Sequence, residues 1–333
     1  MTETMKAFGL HDKNATAELI EVPFHEPGPG EVRVSVRASS VNGWDRFVAS
    51  GMARDMMEHH YPVVVGKDFA GVVDAVGGAA ERFAVGDQVV GITAGSPILD
   101  RNGSYAEYLI VEETGFIEPK REAQSFEQAA SIGLAALSAQ VCIDRIEPSE
   151  GQMVLIVGAS GGVGAYAVQL AAARGALVIA TGLEEDETLL GELGAAEIVD
   201  YTGDLAAAVR ELHPDGVDAM VVAAQVGDGF SALAELVRDG GRIASLVGGA
   251  DVEALAERNV TAANVAAQAE TEPFARVVQL ANDGAISIPI TETHELDDAA
   301  EALGLHGKRH ARGKTAIRIP ERPRSDPDET PGS

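Results

Sequence analysis

The chain has 333 residues, enough for two domains or one large α/β domain. Acidic residues outnumber basic ones by 52 to 25, and the net charge of −27 disfavours binding to nucleic acid or to anionic membranes. The single cysteine, Cys142, excludes a disulfide framework and a cysteine-based zinc site, and we interpret it as a buried, inert thiol. We see no signal peptide and no apolar run of membrane-spanning length, so we expect a cytoplasmic protein.

Residues 1–125 predict a β-rich unit. Short apolar segments are separated by turn signals such as the alternating proline and glycine residues at 27–30. This spacing is typical of a compact antiparallel, barrel-like unit, with strands at 31–37, 63–65, 72–76, 88–92 and 105–111.

From residue 125 the pattern changes to alternating helices and strands, which indicates a parallel sheet covered by helices on both faces. The predicted helices are at 127–144, 165–174, 187–193, 204–212 and 231–237, and the predicted strands are at 154–157, 176–181, 197–200, 217–223 and 242–246.

The alternation ends near residue 261. Beyond it we predict a helix at 273–282, a strand at 286–290, a helix at 296–303 and a closing strand at 314–319. Residues 321–333 are rich in proline and charge, which predicts a disordered tail.

The most informative local motif is G-A-S-G-G-V-G, between the strand at 154–157 and the helix at 165–174. Small residues there allow a tight turn, a close approach to a pyrophosphate and close helix–strand packing. The helix N-terminus offers backbone N–H groups to the phosphates, whereas the alternative is a tight turn without a ligand. The predicted dinucleotide-binding residues of this turn are Ala159, Ser160, Gly161, Gly162, Val163 and Gly164.

Six motifs in register resemble the medium-chain dehydrogenase/reductase superfamily, in its zinc-free quinone oxidoreductase (zeta-crystallin-like) branch. They are S-S-V-N-G-W-D (39–45), V-V-G-K-D-F-A-G-V-V (64–73), G-D-Q-V-V-G (86–91), G-S-Y-A-E-Y (103–108), the glycine motif (158–164) and G-K-T-A-I-R-I-P (313–320). The resemblance implies an α/β fold with a GroES-like β-barrel catalytic domain at 1–125 and 265–320. A Rossmann domain with a doubly wound parallel sheet would occupy 126–264, with the active site in the cleft. It also implies a homodimer.

The resemblance implies no metal. Zinc-binding relatives carry a cysteine followed by His or Thr, and a Gly-His-Glu motif, where this chain has Gly43-Trp44 and Gly66-Lys67-Asp68. Lysine is not a usual zinc ligand, and the histidines show no helpful spacing.

Three residues are candidates for the catalytic site. Asn42 matches a family asparagine that faces the nicotinamide, although an asparagine satisfying a β-turn is the alternative. Asp45 matches a family position, and a helix N-cap explains it equally well. Lys67 is either a donor in the vacated zinc pocket or an ion-paired lysine. Ala53 stands where relatives often carry a tyrosine, which argues against a phenolic proton donor there.

The cofactor implied by the resemblance is NADP(H) or NAD(H). Four acids at 184–187, with no Lys or Arg among them, favour NAD(H), whereas the family favours NADPH, so the preference stays open. The remaining cofactor positions that the resemblance implies are Thr181, Gly182, Tyr201, Gly227, Val247, Gly248, Asn264 and Lys314.

These observations favour an NAD(P)H-dependent enzyme that reduces a quinone or an α,β-unsaturated carbonyl without zinc. Such acceptors take a hydride at carbon, and the developing oxyanion needs only hydrogen-bond donors. One alternative is an enoyl-thioester reductase, although a net charge of −27 disfavours an acyl carrier. Another is a nucleotide-binding redox sensor or structural protein with little catalysis.

Overall fold

The computed structural model describes residues 3–93, 98–266, 271–287, 289–305 and 312–322, so residues 323–333 of the predicted tail lie outside the described residues. The chain divides into two compact units. The first comprises Met1–Ala130, Thr293–His306 and Ala316–Ser333, and the second comprises Ser131–Glu292 and Gly307–Thr315. This division groups the chain up to Glu292 with the second unit, whereas the sequence predicts the return to the first at 265. The predicted domain boundaries therefore stay a prediction.

The described strands are β1 (Thr4–Leu10), β2 (Glu18–Pro23), β3 (Glu31–Ser40), β4 (Glu58–His59), β5 (Val63–Val64), β6 (Asp68–Val76), β7 (Gln88–Ile92), β8 (Ile98–Leu99), β9 (Tyr108–Glu112), β10 (Ile117–Pro119), β11 (Met153–Val157), β12 (Leu177–Thr181), β13 (Glu197–Val199), β14 (Val217–Val222), β15 (Val237–Ser245), β16 (Thr261–Asn264), β17 (Ile290–Glu295) and β18 (Lys314–Arg318). The α-helices are α1 (Gly43–Ala49), α2 (Phe126–Ile146), α3 (Gly162–Ala172), α4 (Glu187–Glu192), α5 (Leu205–Leu212), α6 (Phe230–Ala234), α7 (Val252–Ala256), α8 (Glu272–Asn282) and α9 (Ala299–Ala302). Short 3₁₀ turns occupy Glu184–Asp186, Gly227–Gly229 and Leu296–Asp298.

The first unit is built around β3, a strand with alternating valines. Val32, Val34 and Val36 point to one face and are at most 1% exposed, which fixes the register of the strand. The main sheet has the order β10-β7-β6-β3-β18-β17, and β9 also pairs with β3. The antiparallel register of β3 and β6 sets Ser40 opposite Asp68, which brings polar side chains together at the end of both strands.

The second unit contains a parallel sheet with the order β13-β12-β11-β14-β15-β16. This is the doubly wound order in which two βαβ halves meet at the central strand. Val154, Leu155 and Ile156 of β11 are fully buried, as expected for a strand covered on both faces. The fold class predicted from the sequence is confirmed.

Several elements differ from their predicted bounds, and for two of them the structure shows the cause. The helix predicted at 231–237 ends at Ala234, because Val237 pairs with Val217 and begins β15. The strand predicted at 286–290 begins only at Ile290, directly after Pro289, which has no backbone N–H to donate to a sheet. In the first place tertiary pairing overrides the local residue pattern, and in the second a proline delays the start of the strand.

Among the described helices, α2 alone is long and apolar enough to cross a membrane. However, 78% of its apolar window is buried inside the protein, as in a core helix. Its backbone also bends at Gly133, where φ is 11° and ψ is −131°.

Candidate active site

Helix α1 begins at a capping box that fixes Asn42 and Asp45. Asn42 is the N-cap in an extended conformation, and the Asp45 carboxylate accepts the Asn42 backbone N–H at 2.9 Å. The Asn42 side chain contacts two carboxylates: its Nδ2 donates to Oδ2 of Asp68 at 2.8 Å and to Oδ2 of Asp45 at 3.3 Å. The amide of Asn42 is therefore held in one orientation by two carboxylates.

Asp68 is a buried carboxylate that is not among the residues predicted for the site from the sequence motifs. It is 0% exposed, and its Oδ2 also accepts a hydrogen bond from Ser40 Oγ at 2.5 Å. Ser39 Oγ donates to the Asp68 backbone oxygen at 2.5 Å. An acid inside the apolar stretch 63–73 is the signal that could have found it, since a buried charge requires partners.

Lys67 is also buried, with 8% of the residue exposed. Burial lowers the pKa of Lys67, and the negative charges of Asp45, Asp100 and Asp68 oppose that decrease. Its surroundings form a cavity of about 110 Å³ whose other lining residues include Trp44, Val48, Thr93, Leu99 and Asn102. An ammonium group of this kind can give up a proton more readily than a surface lysine.

Tyr105 packs beneath this cluster. Its Oη lies 3.3 Å from Asp45 Oδ2, to which it donates, and burial together with the charges of Asp45 and Asp68 raises its pKa well above the usual value. The glycine at position 66 makes room for the ring, because a Cβ there would lie 2.3 Å from Cδ1 of Tyr105. Tyr105 therefore stays protonated and supports Asp45.

The glycine-rich turn of the second unit requires small residues for a measurable reason. A Cβ on Gly164 would lie 2.1 Å from the backbone oxygen of Gly158 and 2.6 Å from Cα of Ala159. Gly158 itself has a φ of 82°, and Gly161 caps α3. Helix α3 thus starts against the turn, and its N-terminal N–H groups fit a pyrophosphate.

The segment before β18 lies against this turn. The backbone N–H of Gly313 donates to the oxygen of Ser160 at 2.7 Å, and Gly161 forms a parallel bridge with Gly313. Lys314 is 2% exposed, and its Cδ would lie 2.8 Å from a Cβ on Gly162. Lys314, which the sequence assigns to the cofactor, is thereby placed beside the start of α3.

The end of β12 is joined to the same turn. Thr181 is 1% exposed, and its Oγ1 accepts the backbone N–H of Gly158 at 2.9 Å. A Cβ on Gly182 would come within 2.6 Å of a leucine side chain. Tyr201 is 36% exposed, and burial followed by the charge of Asp186 raises its pKa.

The loop after β15 is held by side chains. Ser245 Oγ donates to the backbone oxygen of Gly248 at 2.6 Å and lies 3.4 Å from the backbone nitrogen of Val247. The Asn264 amide makes two hydrogen bonds with the backbone of Ala250, at 3.0 and 3.2 Å. Asn264 therefore positions this loop rather than presenting its amide outward.

The sequence-predicted residues thus form two groups, one in each unit. In the first, Asn42, Asp45 and Lys67 surround the missed Asp68. In the second, the residues of the turn at 159–164 lie near Thr181 and Lys314. Val163 is half-buried in α3, whereas Gly227 is exposed in a 3₁₀ turn after β14, with a φ of 53°.

Comparison with known proteins agrees with this architecture. Residues 193–317 match the model of the zinc-binding dehydrogenase family, and residues 28–121 match that of the alcohol dehydrogenase GroES-like domain. The chain is 31% identical over 310 residues to a quinone oxidoreductase of Pseudomonas aeruginosa, covering 88% of this chain and 92% of that protein. The chain belongs to the medium-chain dehydrogenase/reductase superfamily. Within it the chain falls in the quinone oxidoreductase branch, as the motifs predicted, and it is an NAD(P)H-dependent oxidoreductase.

Two further similarities extend this result. The structure of the quinone oxidoreductase from Coxiella burnetii superimposes with a TM-score of 0.84 at 27% identity, covering 96% of this chain and all of that one. A mycocerosic acid synthase-like polyketide synthase of Mycolicibacterium smegmatis is 31% identical over 322 residues. That match covers 91% of this chain and 15% of the synthase, so this chain resembles one part of a much larger protein.

The residues at the family's zinc position do not form a zinc ligand set, although one matched family is named for zinc binding. The position holds Lys67 and Asp68, and Asp68 is already bonded to Ser40 and Asn42. Within the described ranges, no group of three or more His, Cys, Asp or Glu side chains is arranged to hold a metal ion. Zinc requires three or four such ligands.

The glycine turn gives the first prediction. Gly164→Ala should weaken binding of reduced nicotinamide cofactor at least about tenfold and destabilise the fold by about 1–3 kcal/mol, because the added methyl meets only backbone atoms. Cofactor fluorescence titration and chemical denaturation measure the two effects. Gly191→Ala in α4 is the control: its Cβ meets nothing within 4 Å, and it should stabilise by about 0.5–1 kcal/mol. Unchanged binding and stability in Gly164→Ala would contradict the proposed packing.

Proposed function

We propose that this oxidoreductase transfers a hydride from NAD(P)H to a quinone or an α,β-unsaturated carbonyl without using zinc. The observation that carries the proposal is the side-chain set of the first unit, where buried Lys67 and the Asn42 amide lie beside carboxylates. In this set the Lys67 ammonium is the hydrogen-bond donor that we propose acts on the acceptor, and the carboxylates hold the Asn42 amide in place. The names of the relatives, which are quinone oxidoreductases, support the class of acceptor.

The reduced nicotinamide supplies the hydride when it is bound. As a quinone or enone accepts it at carbon, negative charge develops on the acceptor's oxygen, and a positioned N–H donor stabilises that charge. We assign this role to the Lys67 ammonium, whose lowered pKa also favours proton transfer. We do not assign alcohol oxidation to this site, because that reaction requires a Lewis acid to lower the pKa of the hydroxyl group and the proposal uses no zinc.

Asn42 and Asp45 have supporting roles in this proposal. Because Asp68 and Asp45 both accept from Nδ2 of Asn42, both amide N–H groups are already used, and the role we propose for Asn42 is to hold its amide in one orientation against the nicotinamide ring. Asp45 fixes the start of α1, and its charge opposes the decrease in the pKa of Lys67. Asp45 is therefore a positioning residue that helps to keep Lys67 protonated.

A second candidate function is the reduction of an enoyl thioester. The identity of 31% across 91% of this chain with part of a polyketide synthase favours it. The chemistry is the same, because an enoyl thioester is an α,β-unsaturated carbonyl that accepts a hydride at its β-carbon. Comparing crotonyl-CoA with 9,10-phenanthrenequinone as acceptors distinguishes the two functions.

Metal removal tests the proposal. After treatment with EDTA and 1,10-phenanthroline, the protein should oxidise NADPH or NADH with phenanthrenequinone at an unchanged rate, followed by nicotinamide absorbance. Elemental analysis of the same sample should show zinc far below one atom per chain. A zinc alcohol dehydrogenase, treated in parallel, should lose activity. Loss of turnover that added zinc restores would contradict the zinc-free mechanism, and cofactor binding without turnover on any quinone or enone would contradict the reductase.

The role of Lys67 predicts a pH dependence. If its ammonium donates the proton, kcat falls as pH rises through the pKa of Lys67, which burial sets below the usual lysine value. Lys67→Met should lower kcat about 100-fold or more, change KM little and remove this alkaline decline. The pH profile of kcat measures all three effects.

Lys120→Met is the matched control for Lys67→Met. Lys120 is equally buried, at 8% exposure, and burial also lowers its pKa, but its Nζ donates to the backbone oxygens of Arg121 and Gln124. Its replacement should leave kcat and the alkaline decline unchanged. An alkaline decline that persists in Lys67→Met would show that another group donates the proton.

A further inference from the structure

The tertiary fold brings a basic residue to the acidic segment that follows β12. Arg312 lies just before β18, and its Nη2 donates to the backbone oxygen of Glu185 at 2.6 Å, across 127 positions of sequence. Its Nε lies 2.7 Å from Oδ1 of Asp186, forming an ion pair. Residues 184–187 contain no Lys or Arg of their own, so the return of the chain supplies the missing cation.

The carboxylate of Asp186 is directed into the protein. Asp186 is 0% exposed, and its Oδ2 accepts the backbone N–H of Leu183 at 3.0 Å. With Arg312 on Oδ1, this acid is committed to contacts within the chain. The other acids of the segment are exposed, where salt screens them, namely Glu184, Glu185 and Glu187. The acidic composition of this segment therefore does not by itself select NAD(H).

Arg312 keeps the capacity to bind a ligand. A guanidinium has more N–H groups than its contacts with Glu185 and Asp186 use, and 36% of the side chain is exposed. The buried carboxylate holds the planar group in place, which reduces the entropy lost when it binds a phosphate. Such a group is suited to bidentate recognition of phosphate oxygens.

Tyr201 lies near the same carboxylate. Burial raises the pKa of Tyr201, and the charges of Asp186, Asp200 and Glu185 add to the increase. The phenol therefore remains protonated at neutral pH, and 36% of the residue is exposed.

The position of Arg312 is tied to the glycine turn. The next residue, Gly313, donates its backbone N–H to Ser160 at 2.7 Å. In a Rossmann fold the pyrophosphate binds at this turn and the adenosine ribose binds at the end of the second strand, which is β12 here. The segment that contains Arg312 and Gly313 thus contacts the glycine turn through Gly313, and it places the Arg312 guanidinium near the end of β12.

We propose that Arg312 binds the 2′-phosphate of NADP(H) and makes this enzyme prefer NADPH to NADH. The inference rests on the proposed function, in that it assigns the cofactor preference of the same enzyme. Asp186 acts through Arg312: it orients the guanidinium and partly neutralises it, so that the phosphate competes with a carboxylate for the same cation.

The test measures binding, by fluorescence titration of NADPH and NADH and by calorimetry with 2′-AMP and 5′-AMP. The wild-type protein should bind NADPH at least about tenfold more tightly than NADH, as one charge-assisted hydrogen bond allows. Arg312→Gln alone would leave the buried carboxylate of Asp186 without its cation, so this substitution is combined with Asp186→Asn. The double variant should bring the NADPH to NADH affinity ratio close to one and abolish the preference for 2′-AMP. Asp186→Asn alone should tighten NADPH binding and leave NADH binding unchanged.

Arg210→Gln is the control, because it removes the same charge from an exposed arginine of the second unit that pairs with Glu235. It should leave the affinity ratio unchanged. The inference is wrong if the wild-type protein binds both cofactors equally. It is also wrong if the Arg312 and Asp186 variants weaken the binding of both cofactors alike, because the ion pair would then only stabilise the fold. If the wild-type protein binds neither cofactor, the proposed function is wrong as well.

Discussion

The buried carboxylate of Asp68 is the interaction on which the proposed active site depends. Strand register sets it opposite Ser40, and a buried carboxylate is stable only with such partners. The same oxygen accepts from Ser40 and from Asn42, so one strand pair fixes the amide that starts α1. Together with Asp45, Asp68 also opposes the effect of burial on the pKa of Lys67. In the proposed site, this pair of acids thus holds the Asn42 amide in place and opposes the decrease in the pKa of Lys67.

In the second unit, the glycine turn is held together by close approach of backbone segments rather than by a buried carboxylate. Gly164 lets α3 begin directly on the turn, and Gly313 lets the returning chain hydrogen-bond to the same turn. The residues on either side of Gly313 are thereby placed near the glycine turn. Lys314 lies beside the start of α3, and Arg312 pairs with Asp186 after β12. Two residues far apart in sequence from the glycine motif thereby lie near it, and in the proposed function their positive charge favours binding of a dinucleotide to an acidic chain.

The sequence predicts what is local and periodic. The buried strand at 154–157 and the glycine turn after it are contiguous, so their fold class could be predicted from pattern alone. Asp68 and Arg312 could not be assigned roles, because their partners are set by long-range pairing, 28 positions away for Ser40 and 127 for Glu185. The start of β15 at Val237 could not be predicted for the same reason. The local residue pattern favours a helix there, and only pairing with Val217 makes Val237 part of a strand. The homodimer and the cytoplasmic location stay predictions.

The most direct test of the central claim, hydride transfer to carbon without a metal, is isotopic. Metal-depleted protein is incubated with NADPH or NADH that carries deuterium at the transferable position, together with an α,β-unsaturated ketone, and the product is analysed by NMR. The account predicts a saturated ketone with deuterium at the β-carbon, at the same yield before and after metal depletion. Product without deuterium, or deuterium transfer that appears only after zinc is added, would contradict it.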